Sequence, residues 1–128
     1  MNGNKILFDT NAVIYFINSS FDINNINIFI SVISEIELLS YPKITQGEEN
    51  KIRYFLNNNV NIINLDENIK NETISIRKNF NIKIPDAIII AITKVNNLSI
   101  LKQDEGILKF NEKISVKMIY KIYITKIT

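Results

Sequence analysis

Four carboxylates in this chain fall where they could act together: Asp9, Glu37, Asp86 and Asp104. The chain contains no histidine and no cysteine. That excludes imidazole acid–base catalysis, His-ligated zinc, thiolate metal sites and disulfides. Chemistry must then run through carboxylates, hydroxyls, amides, lysines, tyrosines or a bound cation. Carboxylates held within about 4–6 Å oppose one another's ionisation unless a cation sits among them. Oxygen-only ligands suit Mg²⁺ or Mn²⁺. Such an ion activates water and stabilises charge on a phosphate, which is the chemistry of a metal-dependent nuclease or phosphatase.

Each acid also has a purely structural reading. Asp9 or Asn11 can cap the helix that follows them. Ser34-Glu35-Ile36-Glu37 has capping-box spacing, with Ser34 as the cap and Glu37 reaching back. Asp86 in a first helical turn complements the helix dipole. Asp104, before Glu105 and Gly106, suits a turn or a short helix cap. One acid proves nothing; four at matching strand ends are harder to dismiss.

The elements that must position these acids are short, continuously apolar strands alternating with helices. Strands are expected at 4–8, 26–32, 60–65, 98–101 and 114–120. Helices are expected at about 11–18, 34–40, 46–57, 66–79, 85–95 and 105–110. Thr45-Gln46-Gly47-Glu48 has capping-box spacing, and Pro85 suits a first helical turn. Asn57, Asn58 and Asn59 suggest a turn after their helix. The pattern predicts a three-layer α/β fold, with a central parallel sheet of about five strands flanked by helices. Ligands of such sheets bind beyond the carboxyl ends of the strands. Asp9 and Asp104 follow two of those ends.

The 128 residues suit one domain spanning 1–128, with 121–128 as an extra edge strand or a frayed tail. No secretory signal is visible, and runs such as Ala87–Ile92 are too short to cross a bilayer. A cytoplasmic protein without a membrane is therefore expected. The net charge is +2, unevenly placed. Residues 1–69 carry four Lys/Arg and eight Asp/Glu, whereas residues 70–128 carry eleven and five. A basic second half suits either a polyanionic partner or a solvated surface.

Taken together, these segments resemble the PIN-domain ribonucleases, and among them the small VapC-type toxins of toxin–antitoxin pairs. FDTNAVIYFI (8–17) resembles the family's opening strand with its Asp-Thr-Asn. ISVISEIELLSYP (30–42) resembles the second motif, with Glu37 before a leucine pair. IPDAIIIAIT (84–93) resembles the third, with Asp86 and the small Ala91. SILKQDEGILKF (99–110) resembles the fourth, with Asp104. The resemblance implies that Asp9, Glu37, Asp86 and Asp104 hold Mg²⁺ or Mn²⁺ and hydrolyse an RNA phosphodiester, leaving a 5′-phosphate and a 3′-hydroxyl. Asn11 and Ser34 would orient carboxylates or water around them. Glu35 is the alternative to Glu37 if the second motif is shifted. The chain departs from many relatives at Lys102, where Ser or Thr is usual, and at Ile107, where an aromatic is usual. The resemblance also implies a small antitoxin partner and a homodimer, for which the apolar Val13, Ile14, Phe16 and Ile17 offer surface. Lys78, Lys83, Lys102 and Lys109 are the RNA-contact candidates.

Other functions compete with this one. A housekeeping PIN nuclease for RNA maturation shares the motifs. A haloacid-dehalogenase-type phosphatase needs Asp-x-Asp after its first strand, and here the third residue is Asn11. A non-catalytic α/β binding module would use the same acids only as caps.

Overall fold

The computed structural model describes residues 4–18 and 26–101. In chain order the elements are β1 (Asn4–Phe8), α1 (Thr10–Ile17), β2 (Ile26–Ser31), α2 (Val32–Ser40) and α3 (Gln46–Asn59), then β3 (Val60–Ile63), α4 (Glu67–Asn79), α5 (Ile84–Asn96) and β4 (Ser99–Leu101). The strand pairings are all parallel, and the sheet order is β3-β2-β1-β4. The strand expected at 114–120, the helix near 105–110 and the tail at 121–128 lie outside the described residues. So do Lys102, Asp104 and Lys109.

The strands lack polar alternation because both faces of the sheet are covered. On β1, Ile6 and Phe8 point one way and Leu7 the other. Ile6 and Phe8 join Ile28, Ile30 and Leu101 under α1, α2 and α3, which contribute Val13, Phe16, Leu38, Ile52 and Leu56. Leu7 packs on the opposite face with Ile69 and Ile76 of α4 and Ala87, Ile90 and Ala91 of α5. The result is the expected three-layer α/β arrangement.

The order of strands locates a crevice. From β1 the chain builds β2 and β3 on one side, then returns to place β4 on the other. The sheet therefore reverses direction at β1, and ligands bind at such a switch point, outside the carboxyl ends of the strands. The backbone N–H of Asp9 donates to the carbonyl of Leu101 at 3.2 Å, joining the ends of β1 and β4 there.

Two helix boundaries differ from expectation for local reasons. α3 continues through Asn57, Asn58 and Asn59 instead of ending in a turn. The amides of Asn58 and Asn59 donate to the carbonyls of Tyr54 and Phe55, one turn back along the same helix. α2 begins at Val32 because Ser31, not Ser34, is its cap: Ser31 Oγ accepts from the N–H of Ser34 at 3.1 Å.

At Thr45 the expected capping box forms. Its hydroxyl accepts from the N–H of Glu48 at 3.1 Å, and Glu48 Oε1 accepts from the N–H of Thr45 at 2.9 Å. The Thr45 backbone bond first, then its hydroxyl and the Tyr41 hydroxyl, hold the Glu48 carboxyl below its ordinary pKa. Because the folded-state value is lowered, this contribution is present above the unfolded pKa and is lost as pH falls through the folded one. Thr45→Ala should lower stability by about 1 kcal/mol in urea unfolding at neutral pH, and an unchanged midpoint would show that the cap contributes nothing.

Candidate functional site

Asp9 ends β1 and is 2% exposed. Its Oδ1 accepts from the N–H of Ala12 at 2.8 Å, so it is the N-cap of α1. The helix-cap reading of Asp9 is therefore correct. Asp9 also lines a cleft of about 500 Å³ with Thr10, Asn11, Glu37, Ser40, Tyr41, Pro85, Asp86 and Ile89. The local fold explains this double position: the strand stops at Phe8, the cap turns the chain, and the helix starts at once. Thr10 and Asn11 are the first residues of that helix, not its caps.

Glu37 reaches the same cleft from the second turn of α2. Its expected role as the far end of a Ser34 capping box does not occur, because Ser31 has displaced Ser34 into the helix. Instead, Thr10 Oγ1 donates to Glu37 Oε1 at 2.6 Å. Thr10 Oγ1 also lies 3.1 Å from Ser34 Oγ, and Ser34 is 2% exposed. The hydroxyls of Ser34 and Thr10 thus form a short chain that ends on the Glu37 carboxylate. Ser34 meets Glu37 only through Thr10. Glu35, two positions earlier on the helix, is not among the residues lining the cleft.

Asp86 comes from the opposite layer. It lies in the first turn of α5, after Pro85, and no side chain caps that helix. Proline suits this turn because its missing N–H has no helical acceptor. Asp9, Glu37 and Asp86 therefore reach one cleft from three elements on both faces of the sheet. Among the described residues, no group of three such side chains comes close enough together to hold a metal ion. Asp104, the fourth expected acid, lies outside them.

The lysines are distributed differently. Lys78 lies away from the acidic cleft, in a groove of about 770 Å³ between α4 and α5 that also takes in Lys70 and Arg77. Lys83 is exposed at the N-cap of α5, three positions before Asp86. In α1, Val13 and Phe16 are core residues, Ile17 is half-buried, and Ile14 is 43% exposed. The apolar surface expected of this helix thus reduces to Ile14 and part of Ile17.

The sequence did not reveal the role of Thr10. No spacing rule pairs two residues 27 positions apart on different elements. Thr10→Val keeps the shape and removes the bond to Glu37. We expect the variant to fold with near-native stability and to lose about 10–100-fold in metal affinity or activity, the usual cost of removing a group that orients a ligand. Full activity in Thr10→Val would show that Glu37 needs no such support.

Fold and cleft together define an α/β protein with an acidic crevice at the switch point of a parallel sheet. The PIN domain profile matches residues 6–113, and the chain belongs to the PIN-domain family. Similar solved structures include a toxin–antitoxin complex from Klebsiella pneumoniae, 27% identical, covering 77% of this chain and 86% of that one with a TM-score of 0.66. VapBC2 from Rickettsia felis, bound to a DNA fragment from its promoter, is 21% identical, covers 89% and 96%, and has a TM-score of 0.71. FitAcB from Neisseria gonorrhoeae is 20% identical, covers 88% and 95%, and has a TM-score of 0.62. At these last two identities the likeness is one of fold. A comparison with curated proteins found no match.

Proposed function

We propose that the chain is a metal-dependent endoribonuclease, a VapC-type toxin restrained by a small antitoxin protein. The observation that carries this reading is the meeting of Asp9, Glu37 and Asp86 in one cleft at the switch point of a PIN-domain sheet. The toxin–antitoxin complex from Klebsiella pneumoniae, with 27% identity, supports the toxin assignment and the antitoxin partner.

The donor set fits a hard cation. The described lining supplies three carboxylates with hydroxyl and amide oxygens beside them, and it includes no lysine or arginine. Asp9, Glu37, Asp86 and Asp104 would hold Mg²⁺ or Mn²⁺. The chemistry supplied by such an ion is activation of water and stabilisation of charge on the attacked phosphodiester. The chain's own residues do the rest. The α1 cap fixes Asp9, Thr10 and Ser34 fix Glu37, and Asn11 at the cleft wall orients what binds there. Lys83, Lys102, Lys109 and, further out, Lys78 would meet the RNA backbone. A second copy of the chain would complete a homodimer, and the site would act on cytoplasmic RNA. Among the described residues, no helix is long and apolar enough to cross a membrane.

One observation favours a non-catalytic binding module: the described acids do not by themselves close around a metal. A single experiment separates the readings. The purified chain is incubated with defined single-stranded RNAs, with and without Mg²⁺ or Mn²⁺. Cleavage that requires the metal, and a melting temperature raised by millimolar Mn²⁺ in the native chain but not in Asp86→Asn, support the nuclease. No cleavage and no shift would assign the fold to binding. Growth arrest on expression, relieved by the product of an adjacent short gene, separates the toxin from a housekeeping RNA-processing nuclease.

A further inference from the structure

Beside the acidic cleft lies a second, smaller one of about 310 Å³, formed between α1, α2 and α3. Ile14, Ile17, Leu38 and Ile52 give it apolar walls, and Asn18, Glu48 and Lys51 add polar groups. Thr10, Glu37 and Tyr41 line both clefts, so the two adjoin. We propose that this second cleft is a nucleobase subsite, in which Tyr41 stacks on an unpaired base next to the phosphate held in the acidic cleft. The proposal rests on the nuclease reading and names its substrate class as single-stranded RNA.

Tyr41 is built to hold a position. It opens a tight turn, Tyr41-Pro42-Lys43-Ile44, closed by the N–H of Ile44 on the carbonyl of Tyr41 at 3.3 Å. Proline at the second place presets the turn, and the third place needs a positive φ. Lys43 supplies it with φ 67° although it is not glycine. The Tyr41 hydroxyl faces the Glu48 carboxylate, which the Thr45 capping box holds in turn. The ring is still 36% exposed, which leaves it available to a ligand.

Charge selects the occupant. Glu37 and Glu48 against Lys51 make the lining net acidic, so it repels a phosphate and accepts a neutral heterocycle. Lys51 Nζ spends one donor on Asn18 Oδ1 at 3.2 Å and keeps two for acceptors on a base edge. Single-stranded RNA is read in this manner, with splayed bases stacked on aromatic rings and hydrogen-bonded at their edges.

The test uses the full chain with an oligonucleotide cut at one place, and a matched oligonucleotide lacking the base next to the cut. Tyr41→Ala should raise KM on the intact RNA about tenfold with little change in kcat, and Tyr41→Phe should keep the native KM. On the abasic RNA the native chain and Tyr41→Ala should have the same KM. Unchanged KM for Tyr41→Ala on the intact RNA would overturn the proposal and leave the cleft to a side chain of a protein partner. An equal rise on both RNAs would also overturn it, because the residue would then act only through the fold. Fluorescence anisotropy of the same RNAs without added metal reads the subsite even if no cleavage occurs. The subsite and the nuclease reading therefore fail separately.

Discussion

Asp9→Asn is expected to leave the protein folded and to abolish the proposed RNA cleavage. Asn caps a helix about as well as Asp, so the bond from the N–H of Ala12 to the Asp9 carboxylate has a direct replacement. The side chain is 2% exposed, and the two residues have nearly the same shape, so packing at the end of β1 is undisturbed. What changes is one negative charge in the cleft shared with Glu37 and Asp86. The loss of one electrostatic group at a reacting centre commonly costs about 10²–10³ in rate. A cleavage assay with Mg²⁺ or Mn²⁺ and a urea unfolding curve should show that loss beside a nearly unchanged midpoint. Asp9→Ala separates the two roles. It removes the charge and also the cap, so it should lose activity and about 1 kcal/mol of stability as well. Asp86→Asn, which does not cap its helix, should lose activity at a cost in folding of only about 0.3–1 kcal/mol, from the first-turn charge lost at the α5 dipole. Native cleavage by Asp9→Asn or Asp86→Asn would refute the site.

The largest change in stability is expected one position earlier. Phe8 is 1% exposed, pairs in register with Leu101, and sets its ring 4.9 Å from that of Phe16. It links the central strand, the strand beyond it and α1. Phe8→Ala should lower stability by about 3–5 kcal/mol, from lost burial and the cavity left behind. Domains of this size have about 5–15 kcal/mol in all, so the variant should be partly unfolded near physiological temperature. Phe8→Leu fills more of the space and should cost markedly less. A drop under about 1 kcal/mol for Phe8→Ala would mean that the core relaxes around the gap far more than a packed interior usually does.

The parallel sheet was legible because a strand covered on both faces is written in continuous apolar residues, as in Ile6-Leu7-Phe8 and Ile28-Phe29-Ile30. The cap at Thr45 was legible because its partners are three residues apart and local. The choice between Ser31 and Ser34 was not, because it turns on where β2 stops pairing. That limit is set by a strand remote in sequence, where Ser31 meets Ile63. Asp9 was read as cap or ligand, and the fold gives it the cap while facing it to the cleft. The bond from Thr10 to Glu37 was invisible for the same reason as the Ser31 cap: it exists only once α1 and α2 are docked.

The order β3-β2-β1-β4 has a consequence in time. Among the described strands β1 is made first and β4 last, yet the two lie side by side, and Asp9 is tied to Leu101 where they end. The stretch between those two residues takes roughly 5–20 s to synthesise at ordinary rates. Until then the crevice has only one of its two flanking strands. Docking of the late strand beside the early one is thus the step that completes the crevice.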